Sequence, residues 1–114
     1  MSTELGRQAE QAAAEYAQRL GYTVLAQNWR TRWCEIDLIV KKAQVILFVE
    51  VKYRRTASFG GGLDYVTSRK LLQMHFAAEF WLAKHQQQAY HYRLAVAEVS
   101  GPAFEVTAWL DDVS

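Results

Sequence analysis

Asp37, Glu50 and Lys52 are the residues whose types and spacing can do chemistry in this chain. Glu50 and Lys52 close the apolar run Val45-Ile46-Leu47-Phe48-Val49, and two residues apart on a strand they leave the same face. Burying opposite charges there is costly unless they are paired or bind a metal. Asp37 sits in the preceding strand-like run Glu35-Ile36-Asp37-Leu38-Ile39-Val40. Two acids and a lysine converging on one sheet face form a pattern suited to metal-dependent phosphodiester cleavage. That reaction needs a positioned water, a sink for transition-state charge and help for the leaving oxygen. Asp37 and Glu50 offer oxygen ligands to Mg²⁺ or Mn²⁺, and the Val51 carbonyl can add a third. Lys52 can orient or deprotonate the water, or stabilise developing negative charge. Arg54 and Arg55 would meet phosphates just outside. The same residues admit a plainer reading, an Asp37–Lys52 or Glu50–Lys52 ion pair that only holds strand ends together.

These residues depend on a hairpin for their position. The predicted strands 34–41 and 45–52 are joined by a short connection through Lys42-Ala43-Gln44, so they should run antiparallel. A turn centred on Ala43 and Gln44 sets Asp37 directly opposite Glu50, with Cβ atoms about 5 Å apart. A turn one residue longer or shorter would lose this register unless a bulge restored it. Upstream, Leu5, Ala9, Ala12, Ala13, Tyr16, Ala17 and Leu20 recur at helical spacing, predicting a helix over 3–20 capped by Ser2 or Thr3 and stopped by Gly21. Glu10 falls at the edge of that stripe, where a glutamate is ordinarily solvated but can lean toward the sheet. Residues 22–30 predict a first strand. A polar, glycine-rich loop is expected over 54–62, followed by a helix over 67–85 with Leu71, Met74, Ala78, Trp81 and Leu82 inward. Strands over 90–99 and 104–110 complete an α-β-β-β-α-β-β order.

The bulk composition is that of a folded globule. With 51% hydrophobic residues in 114, one core can form without staples, so the expectation is a single domain spanning residues 1–114. The lone Cys34 excludes an internal disulfide and a cysteine-based zinc site, and a free thiol suits a reducing compartment. No secretory leader or membrane-length apolar run is visible, so a cytoplasmic location without membrane association is expected. A net charge of +1 rules out a uniformly basic nucleic-acid binder. Distribution matters more. Arg30, Arg32, Lys41 and Lys42 flank one strand pair, while Lys52, Arg54, Arg55, Arg69 and Lys70 surround the acids. Of these, Arg30, Arg54, Arg55 and Lys70 are the candidate nucleic-acid contacts. His75, His85 and His91 lack ligand spacing to the strand acids and read as surface or half-buried polar groups. The four tryptophans read as core or rim aromatics, with Trp33, beside a basic turn, able to stack on an unpaired base.

Motifs appear in a fixed order: Gly6-x-x-Ala9-Glu10-x-x-Ala13-x-x-Tyr16, Gly21-Tyr22, Asn28-x-Arg30, Glu35-Ile36-Asp37-Leu38-Ile39, Phe48-Val49-Glu50-Val51-Lys52-x-Arg54, then Phe59-Gly60, Val66 and Lys70. From Gly6 to about Val99 the chain resembles the bacterial YraN-like family of predicted endonucleases. These are of the PD-(D/E)xK, restriction-endonuclease-like class and distantly similar to archaeal Holliday-junction resolvases. The resemblance implies an α/β fold with an αβββαβ core, a central mixed sheet flanked by helices. It further implies a metal site at Asp37 and Glu50, Lys52 as catalytic lysine, Glu10 as accessory helix acid, and, by family analogy, a homodimer. Two positions depart from the family pattern. Cys34 stands where glycine is usual before Glu35. Arg93-Leu94-Ala95-Val96-Ala97 stands where the pattern tends to read Arg-Phe-Asp-Val-Val, so Ala95 replaces an aspartate.

Three functions are compatible with these residues. One is a Mg²⁺- or Mn²⁺-dependent endonuclease acting on DNA, branched or single-stranded forms included. The second is a nucleic-acid-binding module that keeps the fold without the chemistry. The third is a structural or partner-interaction protein whose charges are simply paired.

Overall fold

The computed structural model describes residues 3–56, 66–87 and 90–114. Its elements are α1 (Glu4–Arg19), β1 (Thr23–Arg30), β2 (Glu35–Lys42), β3 (Val45–Arg54), α2 (Ser68–Lys84), β4 (His91–Ser100) and β5 (Glu105–Leu110). This is the expected order, with boundaries within two residues of those read from periodicity. The chief extension is β3, which continues through Tyr53 to Arg54. Most of the glycine-rich loop expected over 54–62 lies outside the described residues.

The five strands form one sheet in sequence order. β1–β2, β2–β3 and β4–β5 pair antiparallel and β3–β4 pair parallel, with α2 in the crossover between β3 and β4. A parallel step needs such a crossover, whereas the antiparallel neighbours are joined by turns. The fold is mixed α/β, a five-strand sheet with a helix on each face, compatible with a restriction-endonuclease-like core.

The apolar pattern explains the layering. Alternate residues of β3 enter opposite cores: Leu47 and Val49 join the alanine face of α1 (Ala9, Ala13, Ala17), while Ile46 and Phe48 join Met74, Ala78, Trp81 and Leu82 of α2. Small alanines let α1 lie close across all five strands. On the other face Phe48 meets Trp81 and Tyr92 edge-on at 5.8 and 5.7 Å.

Both helices start on a threonine cap: Thr3 accepts from the Gly6 amide and Thr67 from the Lys70 amide. α1 ends in a Schellman closure, Gly21 N–H to Gln18 and Tyr22 N–H to Ala17, which requires the left-handed φ of 95° that Gly21 adopts.

Candidate active site at the β2–β3 fork

The hairpin register is the one the short turn implied. Ala43 and Gln44 form the turn and the pairs run from Lys42↔Val45 to Leu38↔Val49. The ladder then stops, one step short of the expected Asp37–Glu50 pair. β2 stays paired to β1 as far as Glu35, and β3 stays paired to β4 as far as Arg54. The sheet is therefore forked between β2 and β3, and the two acids stand at the root of the fork. Asp37 crosses it with its side chain: Oδ2 accepts from the Val51 amide at 2.9 Å.

A matching irregularity is visible on β1. Asn28 lies between the pairs Gln27↔Leu38 and Trp29↔Ile36, in register with Asp37, and its φ is 51°. Left-handed backbone inside a strand breaks the regular pleat, and asparagine tolerates it better than most residues. The interruption shows in the packing, because Ile36 and Leu38 enter opposite cores although they are two residues apart. Asparagine is depleted in strands, so Asn28 itself was the available sequence signal for this irregularity.

The acids reach the fork from different elements. Glu50 faces the α2 layer, beside Met74, while Glu10 comes from α1. Glu10 is 8% exposed, against the ordinary expectation for a glutamate at a helix edge. Burial raises its pKa first, then the charge of Glu35. The Arg30 charge opposes both, followed by the interaction with Asp37. Asp37 is pushed up to about 7 by burial first and then by Glu50, with Glu10 adding to the rise and the Val51 amide working against it. Like charges are thus crowded around Asp37, an arrangement that a cation would relieve.

The donor set fits a magnesium-like ion in one form only. Among the described residues no group of three or more His, Cys, Asp or Glu side chains is placed to hold a metal. Two carboxylates, Asp37 and Glu50, with the Val51 carbonyl and waters remain a suitable set, since Mg²⁺ keeps several waters and takes few carboxylates.

The basic residues divide. Lys70 Nζ lies 3.2 Å from Glu50 Oε2, a positive charge already resting on a candidate ligand. Arg30 bonds Asn28 Oδ1 at 3.0 Å and approaches Glu35 at 3.6 Å. Arg54 is committed elsewhere: its Nε lies 2.9 Å from Glu98 Oε2, whose side chain is 5% exposed, and Thr107 donates to the other Glu98 oxygen. A lone acid inside the apolar run Leu94-Ala95-Val96-Ala97-Glu98-Val99 was the signal for that buried pair. Lys52 and Arg55 are exposed, Lys52 two residues beyond Glu50 on the same side of β3.

Both departures from the family pattern sit quietly. Cys34 is in the β1–β2 turn rather than in a strand, and is not among the residues with positive φ. Ala95 is fully buried beside Val49 in the core under α1, where an alanine packs without need of a partner. The histidines fall outside the fork; His75 bonds the Tyr92 hydroxyl and His85 the Trp81 carbonyl.

No helix among the described residues is long and apolar enough to cross a membrane. Residues 9–99 match the description of the uncharacterised protein family UPF0102. The chain is 36% identical over 111 residues to a UPF0102 protein of Vibrio campbellii, covering 96% of this chain and 90% of that protein. It is 42% identical over 89 residues to one of Pseudomonas putida, covering 78% and 72% respectively. With one of Neisseria meningitidis it shares 40% identity over 96 residues, covering 84% of each. A match across most of its length, with relatives this similar, shows that the chain belongs to the uncharacterised protein family UPF0102.

Proposed function

We propose that this protein is a divalent-metal-dependent endonuclease acting on DNA. The supporting observation is the forked sheet, which brings Asp37, Glu50 and the buried Glu10 together beside Lys52. Asp37 and Glu50, with the Val51 carbonyl, would hold the metal, which when bound supplies a charge sink for the phosphoryl oxygens and an acidified water. The buried Glu10, whose pKa is raised, would take up the proton that metal binding displaces. Lys52, exposed at the mouth, orients the attacking water and offsets charge gathering on the phosphate. Arg55 and Lys70 lie where flanking phosphates would pass.

The test is incubation of purified protein with supercoiled, branched and single-stranded DNA in Mg²⁺ or Mn²⁺. Wild type is expected to cleave, with Lys52→Ala and Glu50→Gln reduced at least a hundredfold, on the order of one lost transition-state contact. No cleavage of any form, or cleavage undiminished in Lys52→Ala, would sink the reading.

The Lys70–Glu50 pair favours a second reading, a nucleic-acid-binding module without chemistry. It predicts salt-sensitive DNA binding that ignores both Mn²⁺ and Glu50→Gln.

A further inference from the structure

A groove of about 650 Å³ separates the β1–β2 turn from the first half of α2. We infer that it is a stacking subsite for an unpaired base of single-stranded nucleic acid, feeding the strand toward Glu50. This deepens the nuclease reading and rests on it for the neighbouring chemistry.

Three large apolar residues are left open on this one groove: Trp33 is 67% exposed, Leu72 70% and Phe76 53%. Trp33 is held outward by its backbone, not by disorder of the turn. Thr31 Oγ1 accepts from the amides of Trp33 and Cys34 at 3.1 and 3.2 Å, and the Thr31 amide closes the turn on the Cys34 carbonyl at 2.8 Å. A turn braced at its backbone gives up little freedom when a base stacks on the indole it presents. The Arg32 guanidinium lies 5.3 Å over the ring, so positive charge accompanies the aromatic face. Arg30 and Lys70 line the same groove, complementary to a phosphate backbone.

The groove leads to the acids. Glu35 and Met74 line both it and the smaller recess under Glu50, and Lys70 bridges the two by its contact with Glu50. Bases within a duplex already stack on one another and offer no free face, so this surface favours an unpaired segment.

The experiment measures binding in chelator-containing buffer, where no cleavage intervenes. The probes are a short oligodeoxynucleotide carrying a fluorescent adenine analogue and the same strand in a duplex. The expected result is fluorescence quenching with tighter binding of the single strand. Trp33→Ala should weaken that binding about tenfold, and Trp33→Phe should restore most of it. Arg32→Ala should lower the salt dependence. If Trp33→Ala binds as wild type does, or the duplex binds as tightly, the stacking subsite is overturned while the cleavage assay still decides the nuclease reading. Binding of neither form overturns the subsite, and the nuclease reading still stands or falls on cleavage in Mg²⁺ or Mn²⁺. Conversion of a dimer to a monomer by Trp33→Ala, with oligonucleotide affinity unchanged, also overturns the subsite and identifies the patch as a contact between copies.

Discussion

Asn28 stands across the β1–β2 ladder from Asp37, and its left-handed backbone marks the place where the sheet loses its regular pleat. At the same level the β2–β3 pairing has ended, and Asp37 reaches the Val51 amide with its side chain. A backbone irregularity one strand away is tied to the geometry of a carboxylate. Asn28→Ala should destabilise the fold by about 1–2 kcal/mol, since alanine pays the left-handed penalty that asparagine partly escapes. Asn28→Gly should lose less, because glycine adopts that conformation freely. Urea denaturation compares them, and equal losses would show that the Asn28–Arg30 hydrogen bond, not the backbone, is what matters.

Asp37 makes stability depend on pH in an unusual direction. Its folded pKa of about 7 lies above the ordinary 3.8, so the folded protein holds an extra proton between those values. Stability is then greatest at the acid end of that window and falls as pH rises through 7. Asp37→Asn should therefore raise stability at pH above 7 by about 1–3 kcal/mol, with the gain vanishing near pH 4, while cleavage is lost. Thermal melts of both proteins across pH check this. A variant no more stable than wild type above pH 7 would contradict the crowding of charge around Asp37.

At the proposed metal site, Lys70 would compete with a divalent ion for Glu50. The ammonium is 3.2 Å from Oε2, and both side chains are half-buried, so screening is incomplete. Lys70→Met should tighten Mn²⁺ binding by about three- to tenfold, the scale of one partly screened charge contact. Titration followed by electron paramagnetic resonance reads it directly. Weaker Mn²⁺ binding in the variant would mean that Lys70 supports the site.

Metal should also stabilise the fold. Mn²⁺ at about a hundred times its dissociation constant adds roughly 2.7 kcal/mol, and a chelator removes it. The gain should diminish below pH 7, where a proton on Asp37 competes with the ion. A melting temperature indifferent to Mn²⁺ at pH above 7 would argue against binding at the fork.

Arg54 is predicted to act first on stability. Arg54→Ala strands the buried Glu98 carboxylate and should lose about 2–4 kcal/mol, whereas adding Glu98→Gln should recover part of that loss. Denaturant midpoints of the single and double variants measure the coupling. A single variant as stable as wild type would free Arg54 for the phosphate contact expected from its position after Lys52.

Periodicity and turn chemistry alone determined the helices, the strands, the β2–β3 register and the two-sided burial of β3, because these follow from interactions between residues close along the chain. The Ala43-Gln44 turn sufficed to set the register as far as Leu38 opposite Val49. What the chain could not disclose is where that ladder ends. The fork coincides with a left-handed Asn28 one strand away, and the burial of Glu10 depends on how α1 crosses the sheet. The partners of Lys70 and Arg54 were equally hidden, since charge–charge choices are made across the fold at contact distance, between residues 20 and 44 positions apart. Local sequence chose which acids arrive; tertiary packing decided from which side each one reaches the fork.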